Sequence, residues 1–391
     1  MNILIIPSAE LSYNSGSVIY AKKLYAYLLK KGHKVKMVGQ SNPFNKSPLK
    51  DNIIVKKDLL FHPIIDDRPI SSLSYSKMLI SLLDAINETI NEFKNIDVIF
   101  VQYASINSYV ANIAKDLFNI PYIIASYGRD VNIGYNCDHR IQTFINKSMS
   151  QANYILVPTQ SVKRRIEEIN VNLLDKITII NTPVDNKVIT AVKNDIKCDK
   201  VIISTINSCF TPEKGIETII LSCYELKHKY NKEFILYIAG TDDDENKKNY
   251  NHLKSLINQL KLEDNVIFTG YLSRKDVGLL LKKSFIFIDA RLVGNFSSVL
   301  LEAQFCNVPT ISSKNEAAIN IITDGNGLLF EPSNHTELTK KINFLIENPK
   351  IRNEIIEKQK KWIKHHGNEY KETSCFKKIE ETMQKCIKQK Q

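Results

Sequence analysis

Four short segments hold the residue types best suited to chemistry. Arg291-Leu292-Val293-Gly294-Asn295-Phe296-Ser297-Ser298 runs from an apolar strand into a helix that carries Glu302. Gly294 permits a turn, Ser297 and Ser298 are helix-capping types, and the N–H groups of a helix start can hold phosphate. Glu302 follows Leu300 and Leu301, and a carboxylate in apolar company needs partners. Ribose hydroxyls would serve, as would Lys or Arg. Thr211-Pro212-Glu213-Lys214-Gly215 precedes another helix, so Lys214 stands near a positive helix end. It reads as a phosphate contact or as a solvated lysine at an ordinary turn. Ser126-Tyr127-Gly128-Arg129-Asp130 follows a strand of buried type, where open α/β sheets bind ligands. Asp130 could accept from sugar hydroxyls, cap a turn or pair with Arg129. In the loop Ser8 to Ser17, Gly16 could let a ligand approach the backbone, and Ser15 or Ser17 could cap the next helix. That loop is not GxGxxG, so the nicotinamide-dinucleotide fingerprint is missing.

The elements that must position these segments alternate along the chain. Strand-type runs at Asn2 to Ile6, Val35 to Val38, Asp97 to Gln102, Pro121 to Ala125, Tyr154 to Val157 and Lys176 to Ile180 are separated by helical patterns. Asp51 to Ser74, with Pro63 and Pro69, reads as irregular. A second series starts at Val201 to Ile206 and continues through Phe234 to Ala239, Val266 to Thr269, Phe285 to Ala290 and Pro309 to Ser312. The expected class is α/β: two Rossmann-like domains facing a cleft. The expected boundaries are 1–182 for the first domain, 183–199 for a hinge, 200–350 for the second domain and 351–391 for a helical tail. Asp242-Asp243-Asp244-Glu245 reads as a solvated loop.

Composition sets the outer limits. At 391 residues, with 43% hydrophobic and 24% charged residues, the chain is an ordinary globular protein and too large for a disulfide-stapled miniature. Lys and Arg total 53 against 42 Asp and Glu, a net charge of +11 that invites an anionic partner without naming one. No nucleic-acid module or interleaved aromatic–basic platform is visible, so nucleic acid is not expected. The seven cysteines are scattered and lack a CxxC pair, which points to reduced thiols and a cytoplasmic protein. No apolar run reaches the length of a membrane span.

The order of several short motifs over nearly the whole chain resembles the retaining glycosyltransferases of family 4, which have the GT-B fold. Gly32-His33, Asn181 to Asp185, Pro212-Glu213-Lys214-Gly215 and Phe268-Thr269-Gly270-Tyr271 occur in the family's order. Leu301-Glu302-Ala303, Asn307-Val308-Pro309 and Gly325-Asn326-Gly327-Leu328 follow them. The resemblance implies a nucleoside-diphosphate sugar in the second domain, a UDP-sugar by family frequency, and a glycan or lipid-linked acceptor in the first. It implies catalytic roles for Asp130, Lys214 and Glu302. Donor contacts fall on Gly16, Lys214, Arg291, Asn295, Phe296, Ser297, Ser298 and Glu302. Ser15, Tyr127, Gly128 and Arg129 fall on the acceptor side. Neither metal nor other cofactor is expected.

Three family positions are changed. The first of the paired glutamates falls on Gly294, the phosphate-binding Arg falls near Cys209, and Tyr127 replaces a His. Arg291 or Arg129 could restore the lost charge. The tail, with Trp362 and Phe376, is expected to pack back on the first domain. The groups Lys22/Lys23, Lys30/Lys31 and Lys163-Arg164-Arg165 could meet an anionic membrane. A non-catalytic sugar-nucleotide or glycan binder and a GT-B sugar-nucleotide epimerase are the alternatives.

Overall fold

The computed structural model describes residues 1–8, 11, 16–39, 53–56, 72–137, 139–184, 189, 191, 200–242, 246–292 and 296–389. The chain divides into two compact units, residues 1–181 with 373–391, and residues 182–372. Each unit is built on one parallel sheet.

The first sheet contains β1 (Asn2–Ile6), β2 (Lys34–Gly39), β3 (Ile53–Val55), β4 (Val98–Gln102), β5 (Tyr122–Ala125), β6 (Tyr154–Val157) and β7 (Ile177–Ile179). Their order is β3-β2-β1-β4-β5-β6-β7. Alternate residues of β1 enter opposite cores: Ile3 and Ile5 face one, Leu4 and Ile6 the other. Both faces are covered, which is why these strands are apolar throughout rather than alternating. Ile53–Val55 adds an edge strand where the sequence reads as irregular, because three successive β-branched residues suit the pairing Met37↔Ile53 and Gly39↔Val55.

The second sheet contains β8 (Val201–Cys209), β9 (Phe234–Thr241), β10 (Val266–Gly270), β11 (Ile286–Asp289), β12 (Thr310–Ser313) and β13 (Leu328–Phe330), in the order β10-β9-β8-β11-β12-β13. Ile286 and Ile288 face one core and Phe287 the other. The two sheets share one topology. In each, the first strand lies between strands reached by crossovers of opposite sense, so β1/β4 and β8/β11 are switch points with a crevice at their carboxyl ends.

Two stretches differ from expectation. The tail joins the first unit only from Thr373. The helix Pro349–His366 stays in the second unit, where Gln359 Nε2 donates to the Val308 carbonyl at 3.1 Å. Trp362 lies 5.9 Å from the Tyr370 ring there, so it anchors the second unit rather than the first. Of the expected hinge, 185–188, 190 and 192–199 lie outside the described residues. Val184 and Ile189 are buried in the second unit's core, where apolar side chains gain more than in a solvated linker.

Candidate functional site

At the second unit's switch point, a single helical turn, Pro212–Lys214, follows β8. Gly215 closes it with φ +65°, and a Cβ there would lie 1.9 Å from the Ala290 carbonyl oxygen. Only glycine allows that approach. The Leu292 N–H donates to the Glu213 carbonyl at 2.8 Å, so the turn is stitched to the residues that follow β11. Among the described residues the Lys214 ammonium has no partner, and the side chain is partly exposed. Cys209 ends β8 with Sγ 3.8 Å from Thr211 Oγ1. It brings no charge to the crevice.

Arg291 is placed differently from the expectation that it restores a phosphate clamp. Its Nε donates to Asp289 Oδ1 at 2.9 Å and its Nη1 to the Phe296 carbonyl at 3.2 Å. It is committed to its own loop because a buried carboxylate two residues earlier competes for it. Burial works to raise the Asp289 carboxyl. The Arg291 charge and donors from Ser297 and Arg291 outweigh that and hold it below the usual carboxylate range. Ser297 donates its hydroxyl to Asp289 Oδ2 and accepts the Leu300 N–H at 3.3 Å, capping the helix Ser298–Phe305. Phe296 stacks on Tyr370, with ring centres 5.9 Å apart. Asn295 and Gly294 lie outside the described residues.

Glu302 is buried, as its apolar neighbours implied, but its observed partner is a cation. Arg274 Nη2 donates to Oε1 at 2.7 Å and Nη1 to Oε2 at 3.2 Å. Of the two partners open from the sequence, a ribose hydroxyl or a Lys or Arg, the structure supplies the cation: an unbalanced buried charge is costly, and the fork of Arg274 meets both oxygens.

In the first unit the crevice between β1 and β4 is organised by Gln102, which is buried. Its Oε1 accepts the Ser8 N–H at 3.1 Å, and its Nε2 donates to the Ser17 carbonyl at 3.0 Å and to Tyr127 Oη at 3.1 Å. Tyr127 packs edge-on against Tyr20 and Tyr103, with centroids at 5.6 and 5.7 Å. Tyr103 adopts φ +69°, a strained value for a bulky side chain, and Gly128 adopts φ +97°. Burial, then the Asp130 charge, pushes the Tyr103 hydroxyl up to about 12.

Asp130 takes the turn-capping alternative. It is 0% exposed and accepts the Ala104 N–H at 2.8 Å and the Gly128 N–H at 3.0 Å. Burial raises its pKa to about 6, against the opposing pull of these donors and Ser126. Backbone donors occupy the carboxylate, and it holds the loop. It also opens a wide turn, Asp130–Gly134, whose carbonyl accepts from Tyr135 N–H. Such five-residue turns are rare and cluster at functional sites. Among the described residues the Arg129 Nε, buried, lacks a hydrogen-bond partner. Gly16 starts the helix Gly16–Lys30, exposed and with nothing near an added Cβ. Ser15 lies outside the described residues. Gly16, Tyr127, Gly128, Arg129 and Asp130 thus belong to the first unit, and Lys214, Arg291, Phe296, Ser297, Ser298 and Glu302 to the second.

Sequence reasoning missed Gln102, Asp289 and Arg274. Asp289 left one signal, a carboxylate at the end of an otherwise apolar strand with Arg two residues on. Gln102 and Arg274 left none, since their partners are far away in sequence. Among the described residues, no three His, Cys, Asp or Glu side chains form a metal-binding group. Asp242 instead accepts the Tyr250 N–H at 2.7 Å; residues 243–245 lie outside the described residues.

Residues 14–188 match the Glycosyltransferase Family 4 model and residues 190–362 the model for Glycosyl transferases group 1. A glycosyltransferase of Methanocaldococcus jannaschii is 30% identical over 257 residues, 64% of this chain and 63% of that protein. Sucrose-phosphate synthase of Thermosynechococcus elongatus superposes with a TM-score of 0.81 at 16% identity, covering 98% of both chains. HepE of Anabaena, solved with UDP-glucose, has a TM-score of 0.78 at 16% identity, covering 98% of this chain and 100% of that one. Each half of the chain matches a glycosyltransferase model and each sheet has the topology of those folds, so the protein is a glycosyltransferase of the GT-B type.

Proposed function

We propose that the protein transfers a sugar from a nucleoside-diphosphate sugar, a UDP-sugar first, to an acceptor hydroxyl on a glycan or lipid-linked glycan, with retention of anomeric configuration. The observation that carries the reading is Lys214: a cation without a partner among the described residues, at the β8/β11 switch point. The solved relative with UDP-glucose supports the donor class. In the reaction the bond from the anomeric carbon to the diphosphate oxygen breaks, and the electron pair leaves with the diphosphate. The acceptor oxygen bonds to the same carbon on the same face, and its proton passes to the departing phosphate oxygen. Lys214 and the N–H groups of Ser298 and Val299 at the helix start stabilise the growing charge. Glu302, held by Arg274, accepts from ribose hydroxyls. On the acceptor side, Tyr127, Gly128 and Arg129 form the carboxyl edge that Asp130 holds in place.

Acceptor delivery at an anionic membrane surface is part of this proposal and would use the basic groups of the first unit. Among the described residues no helix is long and apolar enough to cross a membrane.

The test is thermal shift with UDP-, GDP- and ADP-sugars, then product analysis by NMR with glycan acceptors. A stabilising donor and an axial or equatorial product linkage that matches the donor support the proposal; inversion would overturn retention. A second reading, binding without turnover, is favoured by one observation: Arg274 and Arg291 are both taken by internal carboxylates. Donor binding with no product from any acceptor, and no epimer from donor alone, would establish it.

A further inference from the structure

We infer that Asp289 is a positioning residue of the donor site, and that with Arg291 and Ser297 it sets the phosphate-facing end of the helix Ser298–Phe305. The inference deepens the proposed function and rests on its donor site.

The charge placement is unusual for a strand end. Asp289 is 4% exposed, at the end of β11 after the apolar Ile286, Phe287 and Ile288, and it pairs with Ser312 of β12. A carboxylate there persists only if its partners satisfy it. They do so from two directions: Arg291 Nε at 2.9 Å occupies Oδ1 and the Ser297 hydroxyl occupies Oδ2. Arg291 passes the restraint on by donating to the Phe296 carbonyl at 3.2 Å. Ser297 passes it on by accepting the Leu300 N–H. One buried anion therefore fixes both the residue before the helix and the cap itself.

The strand side of this loop is held as firmly. Asn315 Nδ2 donates to the Arg291 carbonyl at 3.1 Å, and the Ser313 hydroxyl donates to the same oxygen. The Ser312 hydroxyl donates to the Asp289 carbonyl at 3.0 Å. Leu292 N–H is held by Glu213, on the turn that carries Lys214. The ends on both sides of residues 293–295 are thus fixed before any donor arrives. Because Ser297 takes the Leu300 N–H, the N–H groups left for an anion are those of Ser298 and Val299, and their direction follows the cap. Diphosphate recognition here depends on geometry that Asp289 imposes, without Asp289 touching the ligand.

The test compares diphosphates with nucleosides. UDP, GDP and ADP, and the matching nucleosides, are titrated calorimetrically against wild type, Asp289→Asn, Arg291→Lys and the charge-neutral Asp289→Ala/Arg291→Ala. Asn keeps the shape but loses the anion. The expected result is about a tenfold loss of diphosphate affinity in Asp289→Asn and in the double variant, with nucleoside affinity within about twofold of wild type. Arg291→Lys, which keeps the charge but not the fork, should fall between. Melting temperatures identify any variant that fails to fold, and the double variant leaves no buried unpaired charge. Equal losses for nucleoside and diphosphate would mean a merely structural role and overturn the inference. Full diphosphate affinity in the double variant would overturn it too. A wild-type protein that binds none of the three diphosphates would instead overturn the proposed function, and this inference with it.

Discussion

At the residue scale, the ionic groups divide into spent and available. Glu302 and Asp289 each hold an arginine, whereas Lys214 has no partner among the described residues. Lys214→Ala should therefore cut donor turnover by about a hundredfold while leaving stability within about 0.5 kcal/mol, because a partly exposed cation without a pair contributes little to folding. Initial rates and urea denaturation check the two halves of that expectation. Arg274→Ala should do the opposite: it strands the buried Glu302 carboxylate and costs about 2 kcal/mol, less than a fully buried pair because Arg274 is 36% exposed. Asp130 gives a pH signature. Its folded pKa of about 6 lies above the unfolded value, so its contribution to stability is full in acid and lost as pH rises through the folded pKa. Between pH 4 and 7, wild type should lose about 2 kcal/mol relative to Asp130→Asn. Parallel stability curves for the two proteins would refute this.

At the scale of elements, the site is a matter of how loops are pinned to strand ends. Gly215 lets the Lys214 turn approach Ala290, and its positive φ adds a second demand. Gly215→Ala should destabilise the second unit by about 3 kcal/mol or separate the turn from β11, since both the contact and the backbone forbid a Cβ. Urea titration, together with loss of donor thermal shift, would detect either outcome. Ser297 as a cap was legible, because a serine before an apolar helix is a local signal. The need of Glu302 for partners was legible from Leu300 and Leu301. Arg274 as that partner was not, because no local pattern links residues 28 apart. Asp130 showed its turn-capping capacity in sequence, but its complete burial came from packing beneath the Ala104 segment.

At the scale of the molecule, the last helix is part of the first unit's core. Cys375, Phe376, Ile379, Met383 and Cys386 are buried with Ile3, Ile5 and Tyr25. Glu380 accepts from Tyr27 Oη at 3.0 Å and lies 2.8 Å from His33 Nε2. A chain ending at Glu372 should leave the first unit insoluble or molten, while Phe376→Ala should cost about 3–5 kcal/mol. Solubility, near-ultraviolet circular dichroism and urea titration measure these effects. Wild-type stability in the truncated chain would mean that the helix only covers the core.

Local rules determined much of this protein. Apolar runs of strand length, alternating with helical patterns, dictate two parallel-sheet halves, because backbone pairing and burial on both faces are encoded within each run. Capping residues and turn glycines mark where loops leave the strands. Tertiary structure alone decided which charges remain available. The Arg274–Glu302 pair joins two helices whose proximity no local pattern contains, and burial makes Glu302 and Asp289 each take a cation, whereas Asp130 is met by backbone N–H groups. Arg291 therefore went to Asp289 and Arg274 to Glu302, and Lys214 kept no partner among the described residues.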